Sequence, residues 1–201
     1  MGAVLDTLPA PLRTPVEHWL ERFGDTTKAD ALARIVACSE FASAVALREK
    51  DWLLENVASF EHAPDPQQLE VFVADVASAD ADVARVKSRL RRFRNRYMLH
   101  VLWREIFALA DLDETLHSLS LLADRLLDAA SQYSSDRLAS RYGNVRTADG
   151  SQIPPVILGM GKLGGCELNF SSDVDLIFLY PEAGETDGAK RISAQEYFGR
   201  W

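Results

Sequence analysis

The chain has 201 residues, 47% of them hydrophobic, and its 22 Lys and Arg against 30 Asp and Glu leave a formal charge of -8. That apolar content suits a packed core and excludes a disordered chain, while the acidic balance argues against a broad footprint for DNA or RNA and favours a small-molecule or protein substrate. Two cysteines, Cys38 and Cys166, support neither a disulfide framework nor a Cys-based zinc site and fit a reducing cytoplasm, and the lack of a leader-like start or of about 18 uninterrupted apolar residues predicts a protein neither secreted nor membrane-spanning.

From residue 12 to about 142 apolar residues return every three or four positions, which predicts helices. A first helix is expected from Pro15 to Phe23, a second from Lys28 with Thr27 as its cap, and shorter pieces through Leu54. His62-Ala-Pro-Asp-Pro66 breaks the pattern, because proline lacks the amide donor and restricts the residue before it. The Ala/Asp-rich stretch 74–84 stays helix-compatible. Val83, Val86, Leu90, Phe93, Tyr97 and Val101 form one long stripe, and Leu112, Leu116, Leu119, Leu126, Ala130 and Tyr133 form another. The second is opened by a capping-box-like Asp111 and Glu114, and the two helices are expected to pack together.

The turn-rich stretch 142–150 ends the helices and sets the expected boundary between a helical region, 1–145, and a second domain from 152. Val156-Ile-Leu158 and Val174 to Tyr180 read as strands, Pro181 to Lys190 as a polar loop, and Ser193 with Glu196 as another helix start. The fold class expected is α+β, mostly helical.

The chemistry concentrates between residues 159 and 180. Alternation along a strand sends Asp173 and Asp175 to one face, and a hard divalent cation such as Mg²⁺ makes such a carboxylate pair tolerable. Bound there, the cation leaves open positions for phosphate oxygens, as in-line attack at phosphorus requires. Gly159, Gly161, Gly164 and Gly165 allow close backbone approach to a phosphate, Ser171 and Ser172 add hydroxyl donors, and Lys162 adds a point charge. The segment is neither a Rossmann fingerprint nor a Walker A loop, since no Gly-x-Gly-x-x-Gly leads to a helix and no Gly-Lys-Ser/Thr occurs.

Strand, glycine turn, paired serines and Asp-x-Asp strand together resemble the signature of the DNA polymerase β nucleotidyltransferase superfamily. Gly159-Met-Gly-Lys-Leu-Gly-Gly165, Glu167-Leu-Asn169 and Ser171-Ser-Asp-Val-Asp-Leu-Ile-Phe-Leu-Tyr180 are more specifically similar to the glutamine synthetase adenylyltransferases, two-headed enzymes that also remove the adenylyl group. The likeness extends through Cys38-Ser-Glu-Phe41, Arg91-Arg-Phe-Arg94, Leu109-Ala-Asp-Leu-Asp-Glu-Thr-Leu116 and Gly184-Glu-Thr-Asp-Gly188.

The resemblance implies the opening of a mixed-sheet nucleotidyltransferase domain in the de-adenylylating first half of such an enzyme. Inorganic phosphate would attack the adenylyl-tyrosine linkage on glutamine synthetase and release ADP, with Asp173 and Asp175 holding Mg²⁺. It also implies a second half that transfers AMP from ATP, and regulation by the PII signal protein and glutamine. A third carboxylate and the second half are expected after Trp201, so the piece alone is expected to be inactive. Cys166 stands where the family usually has Arg, which removes one potential phosphate contact. Two other readings stand beside this one: a nucleotidyltransferase acting on a small molecule, and a catalytically silent binding or regulatory module.

Arg85, Lys87, Arg89, Arg91, Arg92, Arg94 and Arg96 concentrate positive charge on one helix, either a solvated face or a surface turned toward the substrate or its phosphates. His18, His62, His100 and His117 lack metal-ligand spacing, and Trp19, Trp52 and Trp103 read as packing anchors.

Overall fold

A computed structural model of the chain describes residues 3–24, 26–77 and 81–201. In chain order the elements are α1 (Ala3–Thr7), α2 (Ala10–Phe23), α3 (Ala29–Cys38), α4 (Glu40–Arg48), α5 (Lys50–Asn56), a 3₁₀ turn (Val57–Glu61), α6 (Pro66–Ala77), α7 (Val83–Ile106) and α8 (Leu112–Tyr142). Then follow β1 (Val145–Arg146), β2 (Val156–Gly159), α9 (Gly161–Gly164), β3 (Leu176–Leu179), β4 (Glu185–Thr186) and α10 (Ala194–Phe198), which makes the chain α+β and mostly helical. It divides into two compact units, one of Met1–Pro64 with Arg92–Thr115 and one of Asp65–Arg91 with Leu116–Trp201.

In the first unit α2 begins five residues before its predicted start. Pro9 stands at its N-cap and Pro11 in its first turn, where a missing amide costs nothing, so only Pro15 forfeits a helical bond. The helix stops at Gly24, whose φ of 88° suits glycine. Thr27 does not cap α3; Thr26 Oγ1 accepts the Lys28 N–H at 3.2 Å instead. The joint between α3 and α4 is Ser39, extended at φ -153° and ψ 119°, whose hydroxyl accepts the Ala42 N–H at 3.2 Å.

Phe23, Leu32, Ile35, Leu53, Phe60 and Leu99 are fully buried in one cluster, with Trp19 and Trp103 at its margin as anchors. Phe60 stacks on His100 at 4.2 Å between ring centroids.

Arg104, buried at the end of α7, holds this unit's turns together. Its guanidinium donates to the carbonyls of Glu61 at 2.6 Å and Leu109 at 2.8 Å and forks onto both carboxylate oxygens of Glu114 at 2.7 and 3.1 Å. The capping box at the start of α8 is therefore half made. Asp111 Oδ1 accepts the Glu114 N–H at 2.8 Å, but the Glu114 side chain is taken by Arg104.

In the second unit Val86 of α7 shares an apolar cluster with Ala129 and Tyr133 of α8 and Val76 of α6, which is the long-helix packing expected. The Ala/Asp-rich stretch is not one helix. Asp82 caps α7, its Oδ1 accepting the Arg85 N–H at 2.8 Å, and residues 78–80 lie outside the described residues. Among the described residues the strands form two two-stranded antiparallel sheets.

β1 pairs with β4, so the turn-rich stretch after Tyr142 and the polar loop after Pro181 close on each other rather than remaining loops. Thr186 is buried there, paired with Val145 and with its hydroxyl accepting the Ile192 N–H at 2.9 Å, and Val145 and Ile192 in turn belong to an apolar cluster with Tyr142, Ile153 and Tyr197. Trp201 is half-buried, its indole N–H donating to Ser135 Oγ at 2.8 Å. No helix among the described residues is long and apolar enough to cross a membrane.

Candidate active site

β2 and β3 pair in the register Val156 with Leu179, Ile157 with Phe178, Leu158 with Ile177 and Gly159 with Leu176. The expected second strand thus starts two residues late, at Leu176, and Asp173 and Asp175 lie just ahead of it. The reason is the partner: after Gly159 the chain turns away into α9, so residues 173–175 have no strand beside them. One contact persists beyond the ladder, the Met160 N–H donating to the Asp175 carbonyl at 2.9 Å. It brings the start of the glycine turn against the end of the acidic pair.

The turn depends on glycine at specific points. Gly161 has a φ of 54°. A Cβ on Gly164 would lie 2.5 Å from the Gly159 carbonyl oxygen, closer than real Cβ atoms come. Gly165 has no such need, since a Cβ there would meet its nearest neighbour at 3.6 Å. Leu163 is buried and anchors the turn, while Lys162 is exposed.

The turn closes with a Schellman motif, Cys166 N–H to the Leu163 carbonyl at 3.0 Å and Glu167 N–H to the Lys162 carbonyl at 2.7 Å. Cys166 occupies its left-handed position at φ 56°, where glycine is usual. It is exposed, as a small residue in a turn.

Asn169 organises the approach to the acidic pair, and sequence reasoning did not single it out as a site residue. Its side-chain oxygen accepts Ser172 Oγ at 2.8 Å, Ser171 Oγ at 3.2 Å and the Ser171 N–H at 3.2 Å. The available signal was an Asn two and three residues ahead of a serine pair, the spacing of an Asx turn. Both serine hydroxyls point inward to this oxygen rather than outward. Buried Leu168, whose N–H donates to Ser120 Oγ at 3.1 Å, ties the loop to α8.

Asp173 and Asp175 are exposed, and no ion pair engages them among the described residues. No group of three or more His, Cys, Asp and Glu gathers as a metal cluster among the described residues. The basic run on α7 is partly neutralised within each unit. Arg89 pairs with Asp75 in the second, and in the first Glu49 accepts Arg92 Nε at 2.8 Å and Arg96 Nε at 2.7 Å. Burial pushes the Glu49 carboxyl up, but the bonds and charges of Arg92 and Arg96 outweigh it and hold its pKa below the ordinary value. Arg85, Lys87, Arg91 and Arg94 remain exposed.

A glycine turn thus folds back on a strand end and is bonded, through the Met160 N–H and the Asp175 main-chain carbonyl, to the returning chain that carries two exposed carboxylates. The sequence model of the glutamate-ammonia ligase adenylyltransferase family matches residues 29–201, and the chain belongs to that family. It is 39% identical over 207 residues to the bifunctional glutamine synthetase adenylyltransferase/adenylyl-removing enzyme of Thioalkalivibrio sulfidiphilus, covering 98% of this chain and 21% of that protein. The enzymes of the same name from Pseudomonas aeruginosa (39% over 208 residues, 100% of this chain, 20% of that protein) and Pseudomonas putida (42% over 171 residues, 83% and 18%) are similar. The chain spans about a fifth of the length of the curated relatives it matches.

Proposed function

We propose that these residues form part of an enzyme that removes AMP from adenylylated glutamine synthetase by phosphorolysis. A phosphate oxygen bonds to the adenylyl phosphorus, the bond from phosphorus to the tyrosine oxygen breaks, ADP leaves, and the tyrosine oxygen takes a proton. The observation that carries this reading is the bond from the Met160 N–H to the Asp175 main-chain carbonyl, which holds a glycine turn beside the segment bearing two exposed carboxylates in a chain of this family.

Asp173 and Asp175 offer exposed, hard anionic oxygens, the donor chemistry that suits Mg²⁺, and they are the residues that would hold it. Such an ion, when bound, supplies charge neutralisation at the phosphate oxygens. The backbone of residues 161–165 would cradle the phosphate with Lys162 beside it, and the third carboxylate would come from outside these residues. The nucleotidyltransferase domain is read as starting at 152, after a helical region ending near 145. The reverse reaction with ATP, control by the PII protein and a cytoplasmic setting belong to the same reading of the whole enzyme.

Phosphate-dependent release of ADP from adenylylated glutamine synthetase, measured on a full-length enzyme carrying these residues, tests it. ADP release that requires phosphate and Mg²⁺ is expected; AMP release by water with no phosphate requirement would contradict phosphorolysis.

A further inference from the structure

The paired serines ahead of Asp173 are held unequally. Ser172 is fixed to Asn169 three ways: its hydroxyl donates to Asn169 Oδ1 at 2.8 Å and accepts the Asn169 N–H at 3.3 Å, and its own N–H donates to the Asn169 carbonyl at 3.2 Å. Ser171 shares the same Oδ1, through its N–H and its hydroxyl, both at 3.2 Å. Ser172 is half-buried and Ser171 is exposed.

An amide oxygen has two lone pairs, so three donors oversubscribe Asn169 Oδ1. One donor can leave without orphaning the acceptor. The donor that leaves at least cost is the exposed hydroxyl of Ser171, whose bond is long and whose place water or a ligand can reach. The Ser172 hydroxyl cannot leave so easily, because it is both donor and acceptor in the loop's own closure. Leu168, buried and bonded to Ser120 of α8, keeps the whole loop on a rigid element.

We infer that the two serines have separate tasks, Ser171 turning its hydroxyl outward to an oxygen of the attacking phosphate while Asn169 and Ser172 form the staple that positions Ser171 and Asp173; this rests on the phosphorolysis reading above. Asn suits the staple better than Asp would. It gives the same acceptor without placing another negative charge in a loop that leads into two carboxylates.

The test uses a full-length enzyme carrying these residues, adenylylated glutamine synthetase as substrate and inorganic phosphate as the varied reactant, with Asp173→Asn as control. Ser171→Ala should raise KM for phosphate about tenfold or more, the worth of a hydrogen bond to a charged group, and leave the melting temperature unchanged. Asn169→Ala and Ser172→Ala should each lower kcat, and the double variant should be no worse than either single one, because both break one staple. An unchanged KM for phosphate in Ser171→Ala, while Asp173→Asn abolishes activity, overturns the division of tasks alone. So does additivity of Asn169→Ala with Ser172→Ala. Full activity in Asp173→Asn overturns the placing of the reaction at this carboxylate pair and this inference with it, whereas AMP release without a phosphate requirement overturns the phosphorolysis reading itself.

Discussion

Met160 donates its backbone N–H to the carbonyl of Asp175 at 2.9 Å, one residue past the last rung of the hairpin, Gly159 with Leu176. The bond exists because the chain after Gly159 turns at once into α9 while Asp175 is still approaching β3. Whatever keeps that turn tight therefore also keeps the acidic pair in place.

Gly164→Ala tests the tightness. Its methyl group would stand 2.5 Å from the Gly159 carbonyl oxygen, a backbone atom that cannot swing aside. Urea unfolding should show a loss of about 1–3 kcal/mol. Gly165→Ala, with its nearest neighbour at 3.6 Å, should lie within about 0.5 kcal/mol of the parent.

Two helix ends place a non-glycine residue in the left-handed region. Cys166 closes α9, and Ala108 closes α7 with the same pair of bonds, Ala108 N–H to Glu105 at 3.0 Å and Leu109 N–H to Arg104 at 2.8 Å. Cys166→Gly and Ala108→Gly should each raise unfolding free energy by about 0.5–1 kcal/mol, the relief of strain less glycine's entropy. Lower midpoints in both would contradict the cap assignment.

The fold and site were legible in the sequence where a pattern depends on neighbours a few residues away. The stripe through Val86, Tyr97 and Val101 located α7, and the apolar runs from Val156 and from Val174 located the two strands, the second of which starts only at Leu176. What escaped depended on distant partners. Thr186 sits in a polar stretch, and only its pairing with Val145 makes it a buried strand residue. Glu114 fits a capping box by spacing, but Arg104 competes for its carboxylate and wins two charge-assisted bonds. Asn169 was visible as a letter in a motif, whereas its three donors appear only when the loop is folded.

Acid should destabilise the first unit in two stages. Burial, aided by Arg104, pushes the His100 pKa down to about 4, against the pull of its bond to the His62 carbonyl and of Glu114. Above the unfolded value of 6.5 both states are neutral and the stability is intact. As pH falls from there toward 4 only the unfolded chain takes the proton, at a cost growing to roughly 3 kcal/mol. Glu49, with its folded pKa below 4.5, adds a second loss as pH falls below that value. His100→Asn should flatten unfolding free energy between pH 7 and 5, leaving the lower limb; an unchanged slope would contradict the assignment to His100.

Arg104→Ala should cost about 3–5 kcal/mol, because it strands Glu114 and leaves the carbonyls of Glu61 and Leu109 without their donor. Arg91→Ala, an exposed neighbour on the same helix, should change stability by less than about 0.5 kcal/mol. Chemical denaturation of the pair of variants measures the difference.

The chemistry assigned to Asp173 and Asp175 stands or falls on phosphate-dependent ADP release by a full-length enzyme in which each is replaced by Asn. On the proposed reading each carboxylate would help hold the cation that neutralises phosphate charge, and losing one would remove several kcal/mol of transition-state stabilisation, so each variant should be slower by at least about 100-fold, with its Mg²⁺ requirement shifted to higher concentration. ADP release at the parent rate, with the same Mg²⁺ dependence, would show that the carboxylate pair beside the glycine turn is not where the reaction takes place.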